Sequence, residues 1–523
     1  MAFSIEGILL VIQSILRRVF TWLFALVSLA WAPVYIFLPL GRDQGIFAWA
    51  GSVINHGGMP YKDAWDVKGP LAHYMYALGE QLFGATEIGV RVFDLILVMM
   101  GLWILRSILI RLNVKPAAPF AMGVMFLTYC GSFWVSAQPD GWVGIGVLGL
   151  VALLFADNGR LSNLTGIFGG FIIGVMTLVK PFYGIYLVTL LGYSAIYRRS
   201  VMDSLSFTLK GTAAFVVPVA FAVAYFWWKD ALHDLWEGLV LFNLNSHMEV
   251  GSAPFSLANP LLHILGLFAL PFFYKTNRRA GALVLLFYLI GMVAVVLQRK
   301  FFFYQFYPVF APLFIAAGCV FYEIQPKTAS HGHKLISETL KTLRYLRIVS
   351  LGLIGVLFLG YWGSQISAPL ISGASAVLNR TTYSEWAKQF NFRDYSQDEI
   401  YEVAHYIETN SGAENHILVI GIDAGVYFLA HRDASSRFGF HYPIIFAKGK
   451  IKDQYHAQLL RDLNAKPPAF IVVADNSDNP LFKGGAASFV AKYPPEVAEM
   501  MGRQYQEKIR TRHYIVYGKK EKP

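Results

Sequence analysis

Residues 41–71, "GRDQGIFAWAGSVINHGGMPYKDAWDVKGPL", follow directly on an apolar run over residues 20–40 whose length matches the thickness of a lipid bilayer. The stretch holds Asp43, Asp63, Asp66, Lys62, Lys68, Arg42 and His56, interleaved with Phe47, Trp49, Tyr61 and Trp65. An ionised group at membrane depth is strongly disfavoured unless it is paired or solvated. The stretch therefore closes one membrane span and opens a loop, and the rest of the chain decides how many spans follow.

The 523 residues are 55% hydrophobic, 15% aromatic and only 15% charged, with mean hydropathy +0.46. Soluble domains carry about 25% charged residues, so the composition points to a polytopic α-helical membrane protein. Windows of about 19 residues predict eleven spans, near 20–40, 88–110, 117–136, 141–157, 163–179, 182–197, 210–228, 256–274, 280–297, 304–322 and 346–366. The apolar N-terminus with its basic end lacks a cleavage site and reads as a short interfacial helix leading into an uncleaved first span. The net charge of +11 comes mostly from short basic clusters beside apolar runs. That is the pattern of cytoplasmic loops and argues against nucleic-acid binding. Arg17 and Arg18 place the N-terminus inside, and the alternation that follows leaves 41–87, 137–141, 229–255, 298–303 and everything after about 367 on the extracytoplasmic side. Cys130 and Cys319 lie in apolar runs and read as small buried hydrophobes.

From about residue 370 the apolar runs shorten and charges become dense. "QDEIYEVAHYIETN" has helical periodicity, while "HILVIGI", "AFIVVAD" and "RHYIVYGK" read as strands. The expected organisation is a transmembrane domain over 1–368 and an extracytoplasmic, soluble α/β domain over 369–523. No internal repeat of the kind that builds many transporters is visible.

The polar residues predicted outside the cytoplasm fall in four clusters. The first loop supplies Arg42, Asp43, Tyr61, Asp63, Asp66, Lys68 and His73, and "SAQPDGW" supplies Gln138 and Asp140. "LVKPFYG" supplies Lys180, and "QRKFFFYQFYP" supplies Gln298, Arg299, Lys300, Tyr304 and Gln305. The topology directs all four to one membrane face. A carboxylate fenced by aromatic rings is suited to act as a general base. Lys and Arg suit a phosphate, and aromatic faces suit a sugar or a lipid chain. Together these are the parts needed to move a polar group from a lipid phosphate to a hydroxyl.

These motifs carry a resemblance. The first loop, with "GMPYKDAWDVKGPL", "LFG" and Arg91, is similar to the first periplasmic loop of GT-C glycosyltransferases. It is most similar to the users of polyprenyl-phosphate sugars: aminoarabinose transferases, relatives of protein O-mannosyltransferases and rhizobial lipopolysaccharide glycosyltransferases. "AQPD", "LVKP", "RKFFFYQFYP" and the C-terminal "ILVIGIDAGVYFLAHRDASSRFGF" extend the resemblance in order along the chain. It implies a GT-C fold and inverting transfer from a polyprenyl-phosphate sugar to a hydroxyl of a lipopolysaccharide, other glycan, lipid or protein at the outer face. Catalytic roles then fall to Asp43 and Asp140, with Lys68 at the donor phosphate and Lys180 and Arg299 as second contacts. Arg42, Tyr61, Asp66, Tyr304 and Gln305 complete the expected substrate-binding set. No cofactor is called for, and a divalent metal is left open.

Plainer readings stand beside these. Asp43 and Asp140 also suit helix caps, Asp63 and Asp66 suit turns, and Lys68, Lys180 and Arg299 suit membrane-interface anchors. His56 and His73 read as structural, and the C-terminal polar residues look scattered, as in a domain that shapes an acceptor entrance. A flippase for a lipid-linked sugar, or a non-catalytic scaffold, is the functional alternative. A flippase predicts charges in mid-span, and this chain has few.

Overall fold

The computed structural model describes residues 5–197, 200–245, 278–319, 363–377, 383–391, 395–475 and 483–520. The predicted span over 256–274 and most of that over 346–366 lie outside these residues. The N-terminal stretch and the first predicted span form one continuous helix, α1 (Ile5–Ile36), rather than an interfacial helix and a span, since no glycine or proline interrupts residues 8–32. The next elements are α2 (Arg42–Asn55), α3 (Pro70–Phe83), α4 (Glu87–Arg111), α5 (Ala118–Cys130) and α6 (Pro139–Asp157). They are followed by α7 (Asn163–Thr177), α8 (Val188–Tyr197) and α9 (Val201–Trp228).

Among the described residues, five helical segments are long and apolar enough to cross a membrane: Ser14–Ile36 within α1, α4, α6, α9 and Arg278–Gln298. α7 and Phe303–Gly318 are apolar but shorter. Two predicted spans come out shortened. The 117–136 stretch forms only the 13 residues of α5, which ends before Gly131. The 182–197 stretch begins as a 3-10 turn, Pro181–Leu187, and leaves 10 residues for α8. Pro181 and Gly184 explain that break, since neither favours a continuing α-helix.

The chain divides into two compact units. The first comprises 1–35, 95–219 and 253–371. α6 runs through its interior, with Val143, Val147, Leu148, Val151 and Leu154 all buried. The Trp31 indole N–H donates to the Cys130 carbonyl at 2.6 Å and ties α1 to α5. Gly166, Gly170 and Gly174 recur every four residues along α7 and face Phe207, Gly211 and Phe215 of α9. A Cβ on Gly170 would lie 1.8 Å from the Gly211 carbonyl oxygen, so the two backbones touch. Small residues permit this contact, which matters in lipid because burial from water no longer drives helices together.

The second unit comprises 36–94, 220–252 and 372–523. α2 and α3 pack as a hairpin within it. The predicted helix over 397–410 is observed as Gln397–Thr409. The sheet has the order β1-β2-β4-β3, with β1 (Ile417–Ile420), β2 (Phe470–Ala474), β3 (Tyr505–Arg510) and β4 (Tyr514–Lys519). β1 and β2 run parallel, with Ile417 opposite Phe470, and β4 runs antiparallel to both its neighbours. Sequence reading predicted β1, β2 and β4 but missed β3. Its "YQEKIR" is an edge strand, exposed over most of its length, and lacks the apolar signal of a buried one.

Candidate functional site

Three of the four polar segments meet inside the first unit. Gln138 is the extended N-cap residue of α6, Pro139 takes the first helical position and Asp140 follows in the first turn. That order suits a helix start, with a negative charge at the positive end of the helix dipole. Asp140 is 0% exposed. The Lys180 ammonium donates to both of its oxygens, at 2.6 and 2.8 Å, and to the Gln298 side-chain oxygen at 3.0 Å. The Tyr183 hydroxyl also donates to Asp140. The same ammonium lies 5.4 Å from the centre of the Tyr304 ring. Residues 140, 180, 183 and 298 therefore form one buried, charge-balanced cluster, with the half-buried Tyr304 beside it.

The backbone around this cluster is strained. Ala137, Arg299 and Phe301 adopt left-handed conformations, with φ of 52°, 56° and 51°. Residues with a Cβ enter that region at a cost of about 1–2 kcal/mol each. Such strain collects where surrounding structure enforces an unusual placement. Arg299 is exposed beyond the end of its helix, and Gln305 is buried with its side-chain oxygen accepting from the Phe302 N–H at 3.1 Å. Gln138 is buried, yet neither its amide oxygen nor its amide nitrogen has a hydrogen-bond partner among the described residues. An unsatisfied buried amide is rare and calls for an explanation.

The first-loop cluster belongs to the second unit. Asp43 lies in the first turn of α2, but the cap position is Gly41, so Asp43 is not the cap. It is partly buried and makes no hydrogen bond or ion pair with any described residue. Burial foremost pushes the phenols of Tyr76 and Tyr442 above the usual tyrosine range; Arg91 opposes this at Tyr76, and Asp43 adds to it at both. Lys68 is half-buried, with its ammonium 5.8 Å from the centre of the Phe47 ring. The fully buried Tyr61 donates its hydroxyl to the Lys68 carbonyl at 2.5 Å, shaping the turn that carries the lysine. Asp66 accepts from the Val67 N–H at 2.6 Å and lies 2.9 Å from His73 Nε2.

The start of α2 is gripped from several directions. The Arg91 guanidinium of α4 donates to the Leu38 carbonyl at 3.0 Å and also to that of Pro39. Glu87 accepts from the Leu40 N–H at 2.7 Å. Arg42 does not face open solvent: its Nε donates to Asp423 at 2.7 Å, with the two side chains 8% and 3% exposed. Further along, Arg437 donates to Asp234 and Glu237 at 2.8 and 2.6 Å.

Sequence reasoning missed Asp423, Tyr395, Tyr514 and Arg437 because it took the C-terminal polar residues as scattered. The available signal was Asp423 directly after the apolar run of β1, at the strand end where α/β sheets collect functional groups. Among the described residues no group of three or more His, Cys, Asp or Glu side chains is arranged to hold a metal ion.

No protein-family model matches the chain, and no curated protein matches it. Solved structures do. ArnT from Cupriavidus metallidurans bound to undecaprenyl phosphate is similar at a TM-score of 0.56 and 13% identity, covering 95% of this chain and 97% of that one. The apo state of the same protein gives 0.53 and 14%, with the same coverage. The chain thus has the fold of ArnT from Cupriavidus metallidurans. With its apolar helices, it is an integral membrane protein.

Proposed function

We propose that this chain is an inverting GT-C glycosyltransferase that moves a monosaccharide from a polyprenyl-phosphate donor to a hydroxyl of a cell-envelope acceptor. Asp43 carries the reading. It is a partly buried carboxylate with no hydrogen bond or ion pair among the described residues, on a helix anchored at its other side chains, which suits a general base. In this scheme Asp43 takes the proton of the acceptor hydroxyl as that oxygen attacks the anomeric carbon. The carbon–oxygen bond to the phosphate breaks, the polyprenyl phosphate leaves with the bond's electron pair, and the new glycosidic bond forms with inverted configuration.

The developing phosphate charge calls for cations, and Lys68, Lys180 and Arg299 are the side chains offered for it. Asp140, with both oxygens engaged, is assigned to holding and orienting Lys180 together with Tyr183. The unmatched amide of Gln138 and the ring of Tyr304 are offered to the donor. Tyr61, Asp66 and Gln305 are assigned to shaping the loops that present Lys68 and Tyr304, and Arg42 to anchoring. The basic clusters support a cytoplasmic N-terminus, a transmembrane domain over 1–368, and an extracytoplasmic first loop and α/β domain over 369–523.

The test incubates the purified chain with a panel of undecaprenyl-phosphate-linked pentoses and hexoses and an envelope glycolipid extract as acceptor. Release of bare undecaprenyl phosphate and labelled product is expected for one donor. Absence of release across the panel, with folded protein, would reject the proposal.

A further inference from the structure

We propose that Asp423 is a positioning residue for Asp43 and acts through Arg42. The inference rests on the reading of Asp43 as the base and goes beyond it by giving the C-terminal sheet a part in catalysis.

Three independent contacts lie along one face of α2. At position 42 the guanidinium meets the Asp423 carboxylate at 2.7 Å and lies 5.2 Å from the centre of the Tyr395 ring. One turn on, a Cβ on Gly45 would stand 2.9 Å from the Gly425 Cα, so the two backbones touch with no side chain between them. At position 49 the Trp49 ring lies 5.4 Å from that of Tyr427. Residues 42, 45 and 49 share a helical face, and residues 423, 425 and 427, at the start of the short helix Gly425–Ala430, lie against it. Asp43 lies about 100° around the helix from Arg42 and makes no hydrogen bond or ion pair with any described residue. Its carboxylate is therefore placed by whatever sets the rotation of α2 about its axis.

Asp423 is well built for that task. It follows β1, at the carboxyl edge of the parallel strands, and its second oxygen accepts from the Tyr514 hydroxyl at 2.8 Å. Tyr514 opens β4 at the same edge, opposite Ala474 of β2. The carboxylate is thus held by the sheet on one side and presented to Arg42 on the other. Tyr395 adds a second tie, donating its hydroxyl to the Leu40 carbonyl at 2.8 Å just before the helix begins. Catalytic groups need their supporting contacts to hold them closely, since a misplacement of about 1 Å costs on the order of 10²-fold in rate.

The test measures kcat and donor KM for the full-length chain carrying Asp423→Asn, Asp423→Glu or Tyr514→Phe, each with a thermal unfolding curve. Asp43→Asn serves as reference, and the donor is whichever member of the undecaprenyl-phosphate panel turns over. Asp423→Asn is expected to lower kcat by on the order of 10²-fold with donor KM nearly unchanged. Asp423→Glu is expected to restore most of the rate, and folded Tyr514→Phe to fall between. The proposal is overturned if Asp423→Asn turns over at the wild-type rate, or if its donor KM rises as much as its kcat falls. It is equally overturned if Asp423→Asn does not fold while folded Tyr514→Phe keeps full kcat. An inactive Asp43→Asn beside normal Asp423 variants sinks the positioning role alone. An active Asp43→Asn sinks the reading of Asp43, and the positioning role with it.

Discussion

Asp43 and Asp140 each occupy the first turn of a helix just past a glycine or proline, yet their surroundings are opposite. Asp140 is fully buried, takes two bonds from Lys180 and one from Tyr183, and has no spare oxygen. Asp43 is partly exposed and makes no such bond with any described residue. The same local signal thus yields a fixed ion pair in one unit and an open carboxylate in the other. Chemistry that must take up and give back a proton favours the second. Both oxygens of the first are already taken up by donors, whereas the second meets no donor among the described residues.

The sharpest way to break this contrast is Asp43→Asn. It is expected to lower kcat by 10²–10⁴-fold, on the order expected for loss of a general base, and to shift stability by less than about 0.5 kcal/mol. Transfer assays and thermal unfolding on the same preparation check both halves. Asp140→Asn is expected to behave in the reverse sense, destabilising by about 3–5 kcal/mol because Lys180 is left buried without its counter-charge. Replacing the pair together, Asp140→Leu with Lys180→Met, should return much of that stability while leaving transfer impaired. Tyr183→Phe, which removes one bond to a charged oxygen, should cost about 1.5–3 kcal/mol in the same unfolding measurement.

The smallest effect is a slope with pH, and it comes from the α2–α3 hairpin. Burial pushes the Glu80 carboxyl up to about 8 from an ordinary 4.5, against the opposing hydrogen bonds from Ser52 and Asn55. Between those two values the folded chain keeps a proton that the unfolded chain has lost, so Glu80 makes stability fall as pH rises through that window. Glu80→Gln should flatten the slope, with variant and wild type converging below the window and diverging above it. Melting curves across that range decide the matter. A slope that persists in Glu80→Gln would assign it to another group.

Much of this was legible before any coordinates. The apolar runs behind α4, α6, α9 and Arg278–Gln298 read directly as spans, since long uninterrupted hydropathy has few other uses. β1, β2 and β4 were legible as short apolar strands, and the helix over Gln397–Thr409 from its 3.6-residue period. Residues 140, 180, 298 and 304 were chosen from the sequence for their charge or polarity beside membrane segments, and they meet. The contact between Arg42 and Asp423 was not legible, because 381 positions separate the two and nothing local to either marks a partner. Arg42 in particular was expected in the substrate-binding set, and its guanidinium is held by a carboxylate.

By itself, then, the amino-acid order marked which segments are long and apolar enough to cross a membrane and where ionisable groups gather. Those properties follow from transfer free energies that each short stretch carries with it. Only the tertiary structure decided which charges neutralise one another and which carboxylate stays open. Pairing depends on side-chain separations of a few ångströms, and those separations are set by folding distant segments together.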